Sequence, residues 1–242
     1  MAFAPRNESR LIGAFGKSWL FWSRLLFVGL DLCCAGLARP ALAENSDNAL
    51  LVYAVNIHRT PVQSWPGNGI YLGKGVFITA AHVVGAGWWT RPKVVIEGQE
   101  YPTLIVKEGS LETTDLTLLS VDEKLLPSRL QLRRNPLCKE KPWPGEDVVT
   151  VVPKSTARSR VLDPKYLPAN VRQFNTVIGD PARTGNSGSG VFDVLHRCLL
   201  GIISRKITIS RTVNGKSQTV DIAKYFVPAS MIAGFIPAEL QN

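Results

Sequence analysis

Three histidines, His58, His82 and His196, are the complete imidazole set of this chain, and imidazole is the side chain best suited to take and return a proton near neutral pH. His82 ends an apolar run, Gly75-Val76-Phe77-Ile78-Thr79-Ala80-Ala81-His82-Val83-Val84. The two alanines before it let backbone and a third group close in and fix its tautomer, as a general base requires. His58, in the polar turn Ile57-His58-Arg59-Thr60, and His196, at a hairpin tip, read as solvated surface residues. A second chemical element is Gly185-Asn186-Ser187-Gly188-Ser189-Gly190. A serine between glycines on a tight turn presents its Oγ, and the N–H groups of Gly185 and Ser187 are unobstructed enough to converge on one point. That is the geometry of an oxyanion hole, where each donor is worth about 3 kcal/mol in a transition state. Ser189 is a rival nucleophile, but only Ser187 has a glycine two residues before it. The third element is Asp115, directly ahead of the apolar run Leu116 to Val121. A carboxylate so placed is buried and needs a donor such as an imidazole N–H. Taken singly, each element has a plain structural alternative: a packed histidine, a flexible glycine-serine loop and an aspartate capping a turn.

Positions 82, 115 and 187 can meet only on a scaffold that folds the chain back on itself. From Glu44 onward the sequence offers short β-like runs between Gly, Pro and Asn: Leu51 to Ile57, Gly69 to Val84, Lys93 to Glu97, Thr103 to Lys107 and Leu116 to Val121. They continue with Asp147 to Val152, Thr176 to Ile178, Gly190 to Phe192, Leu199 to Ile209 and Gln218 to Val227. Many short strands with turn signals between them predict an all-β sandwich or barrel. Helical periodicity is confined to a short segment at Pro228 to Phe235. The stretch Asp122 to Trp143, rich in Leu, Pro, Arg and Lys, is the least strand-like, and it is expected to link two small β domains.

At 45% hydrophobic and 19% charged, the 242 residues have the composition of a folded, turn-rich chain and not of a disordered one. The formal charge is +9. The first 43 residues carry five basic and two acidic side chains, so the remainder holds 23 against 17, or +6. The surplus is scattered as pairs such as Arg133/Arg134 and Arg205/Lys206 without interleaved aromatics, which argues against nucleic acid as a partner. No cluster of His, Cys or carboxylates has metal-ligand spacing, so no metal or other cofactor is expected. Residues 1–43 read as a signal peptide: a basic stretch to Arg24, an apolar stretch from Leu25 to Ala38, and Ala41-Leu42-Ala43 before Glu44. The alternative is a retained membrane anchor, since the apolar region extends back to Trp19. Cleavage and export, to a periplasm or the exterior, would leave no membrane segment. Cys138 and Cys198 would then mature in an oxidising compartment, where a disulfide is the default and two buried thiols the alternative.

The order His82, Asp115, Ser187, with Thr-Ala-Ala-His at 79–82, Asp-Leu-Thr-Leu-Leu at 115–119 and Gly-Asn-Ser-Gly-Ser at 185–189, resembles the trypsin/chymotrypsin-like serine peptidases. The resemblance is to their bacterial exported branch, with the periplasmic heat-shock peptidases and glutamyl endopeptidases. It implies two six-stranded antiparallel β-barrels with the active site in the cleft between them, and domains at 1–43 (signal), 44–121 (first barrel), 122–143 (linker) and 144–242 (second barrel with the C-terminal helix). It further implies acyl transfer through Ser187 on a protein or peptide substrate, with His82 as base, Asp115 as its orienter and Gly185 with Ser187 as oxyanion donors. The strand Gly201-Ile202-Ile203-Ser204 is expected to pair with the substrate backbone, and the Cys138–Cys198 bridge resembles one found in the family. Asp180 and Thr184 are expected at the specificity pocket. Its preference stays open between basic residues through Asp180, acidic ones through Arg183 and Arg205, and small apolar ones lined by Ala182 and Ile203. A catalytically silent peptide-binding or adaptor protein on the same fold is the competing class.

Overall fold

Strands without polar alternation are strands with two buried faces, and the most apolar runs of this sequence behave that way. The computed structural model describes residues 46–59, 66–179, 187–213 and 216–241. Its first half is β1 (Ala54–His58), β2 (Gly67–Gly73), β3 (Val76–Thr79), β4 (Lys93–Ile96), β5 (Gln99–Pro102), β6 (Leu104–Glu108) and β7 (Thr117–Ser120). The second is β8 (Asp147–Val152), β9 (Ser155–Leu162), β10 (Val177–Ile178), β11 (Gly190–Asp193), β12 (Leu199–Val213) and β13 (Lys216–Pro228), followed by the helix Ala229–Phe235. The second half closes into a six-stranded barrel in the order β10-β13-β12-β11-β8-β9. The first half is a seven-stranded antiparallel sheet, β5-β4-β1-β2-β3-β7-β6, shaped as a half-barrel and not closed among the described residues. The all-β double-barrel class and the short C-terminal helix are as expected; the seventh strand and the open seam are the differences.

Neighbouring side chains along these strands enter different cores. Tyr71, Phe77 and Leu119 pack inside the first half with Val55, Ile57 and Val94. Their neighbours Ile70, Ile78 and Leu118 face the other way, against Val149, Val151, Phe192 and Ile202 of the barrel. The barrel repeats the pattern, with Val148, Val191 and Ile203 in its own core beside Leu200 and Phe226. Ile203 therefore lines the barrel interior.

The run Gly69 to Val84 is not one strand. It turns at Lys74-Gly75, where φ is +51° and +75°, and a Cβ on Gly75 would lie 2.3 Å from the Val121 carbonyl. It then passes through β3 into a one-turn helix at Ala81–Val84. Two strands escaped the sequence reading. β5 (Gln-Glu-Tyr-Pro) and β9 (Ser-Thr-Ala-Arg-Ser-Arg-Val-Leu) are mostly exposed and polar, so they lack the apolar signal. His58 ends β1 and meets Glu100 at 3.1 Å, which places it on a strand and not in a turn. No helix among the described residues is long and apolar enough to cross a membrane.

Two ties hold the outer chain. Before β1, a strap over residues 46–53 lies on the barrel: buried Asp47 accepts hydrogen bonds from Arg158 (2.6 Å) and Arg197 (2.8 Å), Leu50 joins the shared core, and Tyr53 stacks on Phe192. Cys138 and Cys198 form a disulfide with Cα atoms 5.0 Å apart. Closing a loop of 60 residues contributes roughly 4 kcal/mol in the chain-entropy model.

Beside that disulfide, Glu146 is buried opposite Asp193, whose carboxylate also accepts from His196 at 2.7 Å. Burial, reinforced by the Asp193 charge and opposed by the Trp143 N–H, pushes the Glu146 carboxyl up to about 7. The hydrogen bond to Asp193 raises His196 as well. Both shifts have the same sign. The folded state binds more protons than the unfolded one from the ordinary carboxyl range up to about pH 7, and His196 loses its contribution as pH rises through its own raised value, so stability falls with rising pH. The thermal midpoint is therefore expected to drop between about pH 5 and pH 8, and Glu146→Gln should flatten the slope. Parallel profiles for both proteins in differential scanning would refute this.

Candidate functional site

The residues singled out by type meet at the rim of the contact between the two halves. Gly67 makes the first placement possible, since a Cβ there would sit 2.2 Å from Val83; its absence lets β2 lie against the helix Ala81–Val84. On that helix His82 is anchored twice to Asp115. Its backbone N–H donates to Oδ1 at 3.0 Å, and its ring Nδ1 lies 2.8 Å from Oδ2. An ionised carboxylate only accepts, so the proton sits on Nδ1 and leaves Nε2 as the basic nitrogen. Asp115 is 2% exposed at its side chain and His82 32%, a carboxylate held inside with an imidazole open to solvent. Burial alone would push the Asp115 carboxyl up. The donors His82 Nδ1, Ser204 Oγ and the His82 N–H outweigh it and hold the carboxyl below its usual range.

Ser204 is the junction. Its fully buried hydroxyl donates to Asp115 Oδ2 at 2.5 Å, and its carbonyl accepts from Ser187 Oγ at 3.5 Å. The register of β12 against β13 slips between Ile203 and Arg205, and this irregularity at Ser204 lets one residue serve both directions. No hydrogen bond joins Ser187 Oγ to His82; contacts of this type are often long before substrate binds.

The Ser187 turn is clamped by backbone. Asn68 N–H donates to the Ser187 carbonyl at 3.0 Å, and Gly188 N–H to the Ile203 carbonyl at 2.8 Å. Gly188 has φ +84°, and a Cβ on it would fall 1.9 Å from the Asn68 carbonyl, so the position needs glycine on both counts. Ser189 is fully buried and accepts from Asn68 Nδ2 at 3.0 Å, which removes it as a rival for attack on a substrate.

His82, Asp115, Ser187 and Ser204 are thus brought together, and Cys138 and Cys198 pair elsewhere. Gly185, Asp180 and Thr184, with Ala182 and Arg183, lie outside the described residues. Gly201 to Ile203 do not form a free edge, because β11, Gly188 and Ser189 already occupy that side; the open edge begins after them. Asn68 and the Ser204 irregularity went unread in the sequence. The signal for Asn68 is a polar residue between two glycines within a strand, Gly67-Asn68-Gly69, which marks close backbone approach.

A hydroxyl, an imidazole with a fixed tautomer and a buried carboxylate in this arrangement are the parts of nucleophilic acyl transfer. Residues 67–202 match the family model described as trypsin-like peptidase domain. No curated protein sequence matches the chain. Solved structures share its fold: the Rv3671c protease from M. tuberculosis in its active form is 17% identical with a TM-score of 0.55, covering 81% of this chain and 85% of that one. A serine endoprotease from Yersinia pestis is 18% identical with a TM-score of 0.55, over 79% of this chain and 64% of that one. The HtrA-type protease AlgW, solved with a tripeptide, is 20% identical with a TM-score of 0.56, over 78% and 60%.

Replacing Gly188 by alanine should lower stability by at least about 2 kcal/mol, from the left-handed backbone and the collision with β2. Urea unfolding measures it; a midpoint within error of the parent would remove the clamp described here.

Proposed function

Because the chain belongs to the trypsin-like peptidase family, we propose that it is a serine endopeptidase whose nucleophile is Ser187, whose general base is His82 and whose orienting carboxylate is Asp115. The observation that carries this is the hydrogen-bonded series from His82 through Asp115 and Ser204 to Ser187. In the forward step His82 Nε2 takes the hydroxyl proton as Oγ attacks the scissile carbonyl, forming a tetrahedral adduct. The imidazolium, stabilised by Asp115, then protonates the leaving amine as the carbon–nitrogen bond breaks, and water repeats the sequence on the acyl-enzyme. The oxyanion is assigned to the N–H groups of Gly185 and Ser187. The substrate is a peptide or protein, in keeping with the tripeptide on AlgW.

Ser187→Ala and His82→Ala are expected to lower turnover by about 10⁴ to 10⁶, and Asp115→Asn by about 10⁴ through the wrong tautomer. Wild type should take a fluorophosphonate label at Ser187 that Ser187→Ala lacks. A variant without Ser187 Oγ that still cleaved peptides at more than a few per cent of the parental rate would sink the nucleophile assignment, whereas a wild type that neither cleaved peptides nor took the label would favour the silent-adaptor class.

We also infer that residues 1–43 direct export and are removed after Ala43, that 44–121 and 144–242 are the two catalytic halves and that 122–143 link them. The sequence of residues 41–43 and the disulfide support this. Intact-mass analysis of the exported form should give a chain starting at Glu44 with no thiol alkylated before reduction; a retained leader or two alkylated cysteines would contradict it.

A further inference from the structure

β12 is fifteen residues long, and only its first part has two neighbours. β11 pairs through Ile202, and Gly188 and Ser189 take both sides of the Ile203 peptide. From Arg205 to Val213 the strand pairs with β13 alone. Among the described residues its other edge therefore offers unpaired N–H and C=O groups, starting one residue past Ser204.

The side chains along this edge have one sign. Arg205, Lys206 and Arg211 are on β12, and the strand holds no acidic residue. Arg205 stands at its head, with Nη2 donating to the Leu111 carbonyl at 3.0 Å and the guanidinium 5.5 Å from the centre of the Phe174 ring. This fixes the guanidinium between the loop that leads to Asp115 and the wall of the barrel. Its Nη1 has no hydrogen-bond partner among the described residues. Lys206 makes one exposed pair with Asp221 at 3.2 Å, a contact of little energy that a better anion would displace. Arg211 makes no ion pair among the described residues.

We propose that the open edge of β12 from Arg205 to Arg211 receives an extended acidic segment of the substrate as an added strand, with substrate carboxylates seated on Arg205, Lys206 and Arg211. The strand edge supplies affinity through backbone hydrogen bonds and the three cations supply the selection. The +6 charge of the chain after residue 43 draws such segments toward the cleft. This rests on the peptidase reading above and adds its substrate class.

The test uses internally quenched peptides with one cleavable core, flanked on either side by blocks of Glu, Gln or Lys. For wild type, the Glu-flanked peptide should exceed the Gln-flanked one by about tenfold in kcat/KM at low salt, and the Lys-flanked peptide should be slowest. The Glu-to-Gln ratio should approach one at about 0.5 M salt and in R205Q/K206Q/R211Q, and should fall part-way in K206Q/R211Q, which keeps Arg205 in place. A ratio of one in wild type, or an undiminished ratio in both variants, overturns the proposal. Fluorophosphonate titration of every preparation separates the two readings: full labelling of Ser187 without a Glu preference removes the acidic substrate alone, whereas an unlabelled wild type removes the peptidase assignment beneath it.

Discussion

The two-faced character of the central strands is the constraint on which the site depends. Ile70, Ile78 and Leu118 of the first half interlock with Val149, Val151, Phe192 and Ile202 of the second, while their immediate neighbours fill each half's own core. Each such side chain contributes about 1.5–3 kcal/mol on burial, and together they outweigh the few polar contacts at the rim. A one-residue slip in any of these strands would exchange the two sets of side chains and misplace the rim. The helix bearing His82 and the turn bearing Ser187 are therefore positioned by packing several residues away from them.

Within that frame the polar site solves a burial problem. Asp115 is taken almost wholly out of water, which is costly for a carboxylate unless it is hydrogen-bonded. It receives two donors from His82 and one from Ser204, so the groups that stabilise the buried charge are the same ones that fix the imidazole tautomer. The Gly188 backbone, pressed on Asn68, ties the serine turn to the same strand that lies against the His82 helix.

The sequence pointed to the all-β double-barrel class and to a set of candidate residues, but not to every strand. His82, Asp115 and Ser187 announced themselves because each interrupts an apolar or glycine-rich context, and the apolar strands were legible for the same reason. β5 and β9 were not, since a strand exposed on most of its length has no hydrophobic period to detect. The covered edge at Gly201 to Ile203 was equally invisible: which side of a strand is already paired is a property of register, set by residues far along the chain. The role of Ser204 turned on an irregularity that no local pattern encodes.

The strap that precedes β1 has a mechanical meaning. Asp47 and Leu50 belong in sequence to the first half yet rest on the barrel, and Ile232 and Phe235 of the terminal helix enter the same shared core. The halves are consequently laced through each other and not joined by the segment 122–143 alone. The segment itself exposes side chains such as Leu125 and Leu132, where a protease would meet little obstruction. A cut there would break a covalent connection while the contacts of Asp47 with Arg158 and Arg197 still tied the first half to the second.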